Sequence, residues 1–147
     1  MTRLEEFALK VSRLDEGDIF KIIFSSAKVQ REIIRLNTEE QLFFKGVDSN
    51  NITLGDYTPF TVEIKKEKGQ RFENITLRDT GDFYESFRVR ATKEYFEISA
   101  DPIKEDTNLF IEFGIDILGL TDESTKKLKE VILPEFNRIA RQKLGIL

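Results

Sequence analysis

The chain of 147 residues has no cysteine, no histidine and no tryptophan, and only three prolines. Without cysteine there is no disulfide framework, and without cysteine or histidine the usual zinc sites and the Ser-His-Asp and Cys-His nucleophile systems are excluded. What remains for chemistry is carboxylate, lysine, tyrosine and hydroxyl groups, and no catalytic residue, metal or cofactor is expected. A core of this size does not oblige a chain to use bridges, so the redox compartment stays open. Long apolar runs are also missing: no stretch approaches the roughly 18 residues of a membrane span. The opening Met1-Thr2-Arg3-Leu4-Glu5-Glu6-Phe7 carries acids where a signal peptide needs a basic head and an unbroken apolar stretch. The expectation is a soluble chain with no membrane partner. Charge of one sign is scarce too, since 23 basic against 27 acidic residues leave −4, which gives no global bias toward phosphate backbones.

What is present is phenylalanine, 13 residues of it, and amphipathic spacing. The length predicts a single domain over 1–147. Leu4, Phe7, Ala8, Val11 and Leu14 recur at helical spacing and predict a short first helix. Asp15 or Asp18 then caps a second, longer helix carrying Ile19, Ile22, Ile23, Ala27, Ile33 and Ile34, which runs to Lys45 and stops at Gly46. Residues 47–70 are rich in turn formers yet hold Ile52, Leu54, Tyr57 and Phe60, which predicts a long ordered loop that docks. Asp79 or Thr80 is the expected cap of a short helix, with Asp82 and Glu85 near the positive end of its dipole. Alternation through Phe87, Val89 and Ala91, and again through Phe96, Ile98 and Ala100, predicts a hairpin turning at Lys93-Glu94. A short helix over 106–113 ends at Gly114, and Thr121 caps a last helix that Pro134 should kink or divide. Phe7, Phe20, Phe24, Phe87, Phe96 and Phe136 fall at core phases, whereas Phe43-Phe44 cannot both face one core, which offers one of them to an assembly contact.

Two constellations suggest other activities. Asp56 followed by Glu63-Ile64-Lys65 is the pattern of a metal-dependent nuclease if the latter three lie on a strand; the competing reading is a solvated charge run with Lys66, Glu67 and Lys68. Arg88 and Arg90 near Tyr84 and Tyr95 suggest a single-strand nucleic-acid platform, against a plain outer strand face or a protein interface.

Taken in order, Gln41-Leu42-Phe43-Phe44-Lys45-Gly46-Val47-Asp48, then Leu54-Gly55-Asp56-Tyr57-Thr58-Pro59-Phe60-Thr61 with a lysine-rich stretch, then Leu77-Arg78-Asp79-Thr80-Gly81-Asp82-Phe83-Tyr84-Glu85-Ser86-Phe87 resemble the tail-completion, or virion morphogenesis, proteins of tailed bacteriophages. Phe113-Gly114 and Leu118-Gly119-Leu120-Thr121-Asp122-Glu123 resemble the end of the same layout. Phe83 stands where leucine is commoner after Thr-Gly, and the approach to the last helix lacks the family's Pro and Arg. The resemblance implies an α+β fold in which N-terminal helices and a C-terminal helix pack on a small antiparallel sheet. It further implies a non-enzymatic tail-completion or neck component of the virion, assembled in the bacterial host cytoplasm as a ring, commonly of six. Its partners would be its own copies, tail-tube and head-connector proteins, and DNA that passes without specific binding; a minor capsid role is the alternative. Thr80, Gly81 and Ser86 match the short motif, as a cap and a tight approach. The expected interface residues are Asn50, Asn51, Leu54, Tyr57, Phe60, Arg88 and Arg90, spread over two surfaces because a heterologous ring joins unlike patches.

Overall fold

Side-chain caps decide where the N-terminal helices begin. In the computed structural model, which describes residues 2–146, Thr2 and Glu5 form a reciprocal capping box at the start of α1 (Arg3–Ser12). The Asp15 carboxylate accepts from the Gly17 amide at 2.8 Å to open α2 (Glu16–Ser25). The long second helix expected from periodicity is not continuous. Ser26 is extended, and its hydroxyl accepts from the Val29 amide to start α3 (Ala27–Arg35), a local cap that competes with helix continuation. From Leu36 to Lys45 the chain widens into a π-helix, closed by Gly46 in the left-handed conformation at the predicted stop.

The expected loop over 47–70 contains a helix, α4 (Pro59–Glu67). Thr58 caps it by accepting from the Thr61 amide, and Pro59 sits at its first position, where no amide donor is needed. After α5 (Asp82–Glu85), β1 (Arg88–Ala91) pairs antiparallel with β2 (Phe96–Ser99), Arg90 standing opposite Glu97, as the alternation predicts. A second hairpin, β3 (Ile103–Lys104) with β4 (Thr107–Asn108), was not expected; its Glu105-Asp106 turn puts Glu105 at positive φ. It delays the next helix to α6 (Leu109–Phe113), capped by Asn108. After one 3-10 turn at Ile115–Ile117, Thr121 opens α7 (Asp122–Leu144). Pro134 does not divide α7: Pro134 and Glu130 are both exposed, so the carbonyl that loses its partner lies on the solvent side.

The result is an α+β fold with helices from both ends of the chain on a small antiparallel hairpin, α2 and α3 against β1 and α1 to α3 against α7. Two cores form. The first joins Ile19, Ile23, Phe24, Val29, Ile33 and Leu36 to Leu128 and Ile139, with Val89, Ala91, Phe96 and Ile98 of the hairpin packed against them. The second gathers Leu42, Leu77, Phe83, Phe87, Leu109 and Ile117. Phe20 is half-buried as a core phase predicts, but Phe7 and Phe136 are about 40% exposed, because none of the described residues covers the outer sides of α1 and α7.

A side-chain ladder joins the π-helix to the approach of α7. Asn37 donates to the Ile117 carbonyl at 2.9 Å and accepts from the Gly119 amide at 2.8 Å. Gln41 donates to the Gly119 carbonyl at 2.8 Å and accepts from the Thr121 amide at 2.9 Å. Both amides are fully buried. Gly119 is needed beside them: its φ is +131°, and a Cβ there would stand 2.9 Å from that of Ser49.

Candidate functional site

Because α4 is helical, Thr61, Ile64, Lys65 and Lys68 share one side of it, and that side faces residues 75–79 and the β3–β4 hairpin across a hollow of about 560 Å³. Ile64, Ile75, Leu77, Leu109 and Phe113 supply apolar wall. Lys65 is only 7% exposed, with its ammonium 4.7 Å from the Tyr57 ring centre and 3.5 Å from the Arg78 carbonyl, and it makes no ion pair among the described residues. Of the other cations that line the hollow, Lys68 and Lys104 flank the Asp79 carboxylate at 3.4 and 3.6 Å, and the Arg78 guanidinium lies 5.4 and 5.8 Å from the Phe43 and Tyr84 ring centres. Gln70 donates to Asp79 at its carbonyl (2.9 Å) and at Oδ1 (3.1 Å), which leaves Gln70 Oε1 buried with no donor among the described residues. The Gln70 amide first, and then Lys104 and Lys68, hold the Asp79 carboxyl below its ordinary range, against burial, which pushes it up.

Tyr57, an expected interface residue, is half-buried in this wall. Its hydroxyl accepts from the Thr76 amide at 3.0 Å and meets the Thr76 hydroxyl at 3.3 Å. Asp56 also lines the hollow, but Glu63 does not. Residues 63–65 are helical and not a strand, and positions two apart on a helix diverge, so Lys65 is buried while Glu63 is exposed. The nuclease constellation is therefore not brought together, and no group of three or more Asp and Glu able to hold a metal occurs among the described residues.

A smaller hollow of about 200 Å³ shares Leu77, Asp79, Lys104 and Glu105 with the first and is lined by Thr80, Gly81 and Ser86. Gly81, not Asp79 or Thr80, occupies the capping position of α5, although the Thr80 hydroxyl accepts from the Asp82 amide at 3.3 Å. The tight approach expected at Gly81 is absent: the nearest atom to a Cβ there would be Glu85 Oε1 at 3.9 Å. Its φ of +95° is what calls for glycine. Ser86 donates to the Phe83 carbonyl (2.6 Å) and accepts from the Asp101 amide (2.9 Å), which ties α5 to the turn after β2.

The remaining expected residues lie elsewhere. Asn50 and Asn51 form a tight turn around Asp48, whose Oδ1 accepts from the amides of Asn50 and Ile52 at 2.9 and 3.0 Å. The turn docks as predicted, through Asn50 onto Asp116 at 3.0 Å. Leu54 is half-buried against the second core, and Phe60 is 75% exposed. Arg90 pairs with Glu97 at 2.8 Å, and Arg88 donates to the carbonyls of Glu85 and Phe87. Tyr84 is turned inward, its hydroxyl donating to the Thr76 carbonyl and its phenol pushed up by burial. No platform of Arg88, Arg90 and Tyr84 is assembled for stacking bases.

Large apolar side chains are exposed in two sets. Leu4, Phe7, Leu9 and Val11 lie on α1, and Leu133 and Phe136 on α7, against which α1 packs. Phe44, Ile52, Phe60, Ile103, Ile111 and Ile115 lie on the π-helix, the turn after it, α4, β3, α6 and the 3-10 turn. The sequence reading gave Lys65 to a nuclease constellation or a solvated charge run, so its burial was not foreseen, and it missed Gln70. The signal that could have found Lys65 is Thr58-Pro59, a cap followed by a first-position proline, which fixes the phase of α4.

No protein-family model, curated protein or solved structure matches this chain at a significant level. Among the described residues, no helix is long and apolar enough to cross a membrane.

Proposed function

We propose that this chain is a non-enzymatic structural protein of a tailed-bacteriophage virion, a tail-completion or neck adaptor at the junction of head and tail. The order and spacing of the tail-completion-like motifs support this reading. The observation that carries it in the fold is the pair of exposed apolar sets. Ile111 on α6 is 85% exposed, Leu4 on α1 77% and Phe60 on α4 75%, three separate elements of the fold. A heterologous ring buries one patch of each copy against an unlike patch of the next, so it needs two such sets on one chain. Tail-tube and connector proteins take the two open faces of the ring, and DNA passes through it without specific binding. The ring, commonly of six copies, is assembled in the bacterial host cytoplasm and ends in the virion.

Electron microscopy of particles from an infection in which this gene is inactivated tests the assignment. DNA-filled heads beside detached or irregular tails are expected. Empty or malformed heads move the protein to the capsid, and normal infectious virions overturn the reading.

A further inference from the structure

Away from the Arg88 and Arg90 face, basic side chains and aromatic rings are interleaved on one stretch of surface. Residues 65–78 hold Lys65, Lys66, Lys68, Arg71 and Arg78 against Glu67 and Glu73, a local excess of positive charge in a chain whose net is −4. Lys65 is buried and Lys68 is committed to Asp79, which leaves Lys66, Arg71 and Arg78 to this surface. The Lys66 ammonium lies 4.9 Å from the Phe72 ring centre. The Arg71 guanidinium lies 5.6 and 5.7 Å from the ring centres of Phe43 and Phe44, and that of Arg78 lies 5.4 Å from Phe43. A single ring, Phe43, thus gathers two like charges. The carboxylates nearby do not balance them. Among the described residues, the exposed Arg78 and Lys66 make no side-chain hydrogen bond and no ion pair, and Glu39 and Glu67 reach none of the three cations. Glu73 stands 3.9 Å from Arg71 and accepts from the Phe72 amide, while Arg71 donates to Asn74 Oδ1 and to the Phe44 carbonyl. Beside these cations Phe44 is 60% exposed, set edge-on to Phe43 with the ring centres 5.3 Å apart.

We infer that this surface binds a single-stranded nucleic acid without reading its sequence. Arg78, whose guanidinium donors are all uncommitted, gives its fork to a phosphate, and Lys66 and Arg71 add positive charge along the backbone. A base stacks on the exposed ring of Phe44. Two features together select this occupant. A duplex keeps its bases stacked inside, out of reach of Phe44, and an acidic peptide matches the cations but leaves the ring in water. The inference goes beyond the phage assignment and does not rest on it.

The test is fluorescence anisotropy of the full chain with a labelled oligodeoxythymidine of about 12 nucleotides, its duplex with oligodeoxyadenosine, and a labelled polyglutamate of similar charge, from about 50 mM salt upward. The single strand is expected to bind saturably and more tightly than the other two by about fivefold or more. Its log affinity should fall with log salt at a slope of roughly −2, as three phosphate contacts give. Arg78→Gln is expected to make that slope shallower by about 0.7. Phe44→Ala is expected to weaken the single strand by roughly fivefold to a hundredfold and to leave the duplex unchanged. The proposal is overturned if the single strand does not saturate, if duplex or polyglutamate binds as tightly, or if either variant binds the strand like the native chain. Both substituted side chains are exposed, and the comparison of the three probes is made on the native protein, so it stands whatever the variants do.

Discussion

Asn37 and Gln41 beside the approach to α7, and Lys65 and Gln70 beside the hollow, place polar groups out of water and treat them in opposite ways. The first pair spends its amide donors and acceptors on the backbone of residues 117–121, four hydrogen bonds of 2.8 to 2.9 Å. The second pair keeps an ammonium with one long contact and an oxygen with none. A satisfied buried network specifies and stabilises one arrangement, whereas an unsatisfied one costs stability and calls for another explanation. The fold closes itself at the ladder and stays open at the hollow.

Breaking the ladder should give the largest effect. Asn37→Leu leaves the Ile117 carbonyl and the Gly119 amide buried and unpaired, at roughly 1–3 kcal/mol each, so a loss of about 2–6 kcal/mol is expected in denaturant unfolding. Lys65→Met, by contrast, should not lower stability, which makes the two substitutions the sharpest form of the comparison. Next is Gly119→Ala, expected to cost about 2–4 kcal/mol from the positive φ and the contact with Ser49. Adding Ser49→Gly removes the atom that is struck and should recover about 1 kcal/mol, leaving the backbone strain, a non-additivity that a double-mutant cycle reads directly.

A smaller effect distinguishes the rim of the hollow. The folded Asp79 carboxyl sits below its ordinary 3.8, so the stability it contributes is present above 3.8 and is lost as pH falls through the lower folded value. Asp79→Asn should therefore show a flatter loss of stability below pH 3.8 than the native chain in acid unfolding curves. Smallest of all, Arg90→Ala removes an ion pair in which both partners are at least half exposed, and the thermal midpoint should not move measurably.

Much of the architecture was legible because it rests on local signals. Thr121 as a cap, Gly46 as a stop and the alternation of Phe87 to Ala91 against Phe96 to Ala100 are statements about neighbours in sequence. The failures have physical causes of two kinds. Ser26 and the Thr58-Pro59 pair are local signals that were outweighed, by helical periodicity in one case and by the density of turn formers in the other. The widening at Leu36 and the small second hairpin have no local signature of their own: Asn37 and Gln41 are held by residues about 80 positions away. The site was less legible than the fold. Tyr57, Thr80, Gly81 and Ser86 do line the two hollows, but Lys65 was read from a charge-rich stretch, where nothing tells a buried lysine from a solvated one until the helix phase is known.

The span of the ladder also bears on how the chain is made. A ribosome releases Asn37 and Gln41 long before Ile117, Gly119 and Thr121, whose backbone groups are their partners. Until those residues emerge, water takes the place of the ladder's partners, and the second core lacks Ile117. A chain stalled or cut before residue 117 thus leaves Asn37 and Gln41 hydrated and the second core without Ile117. Only a chain that has been made as far as Thr121 can close the ladder, so this part of the fold is completed late in synthesis.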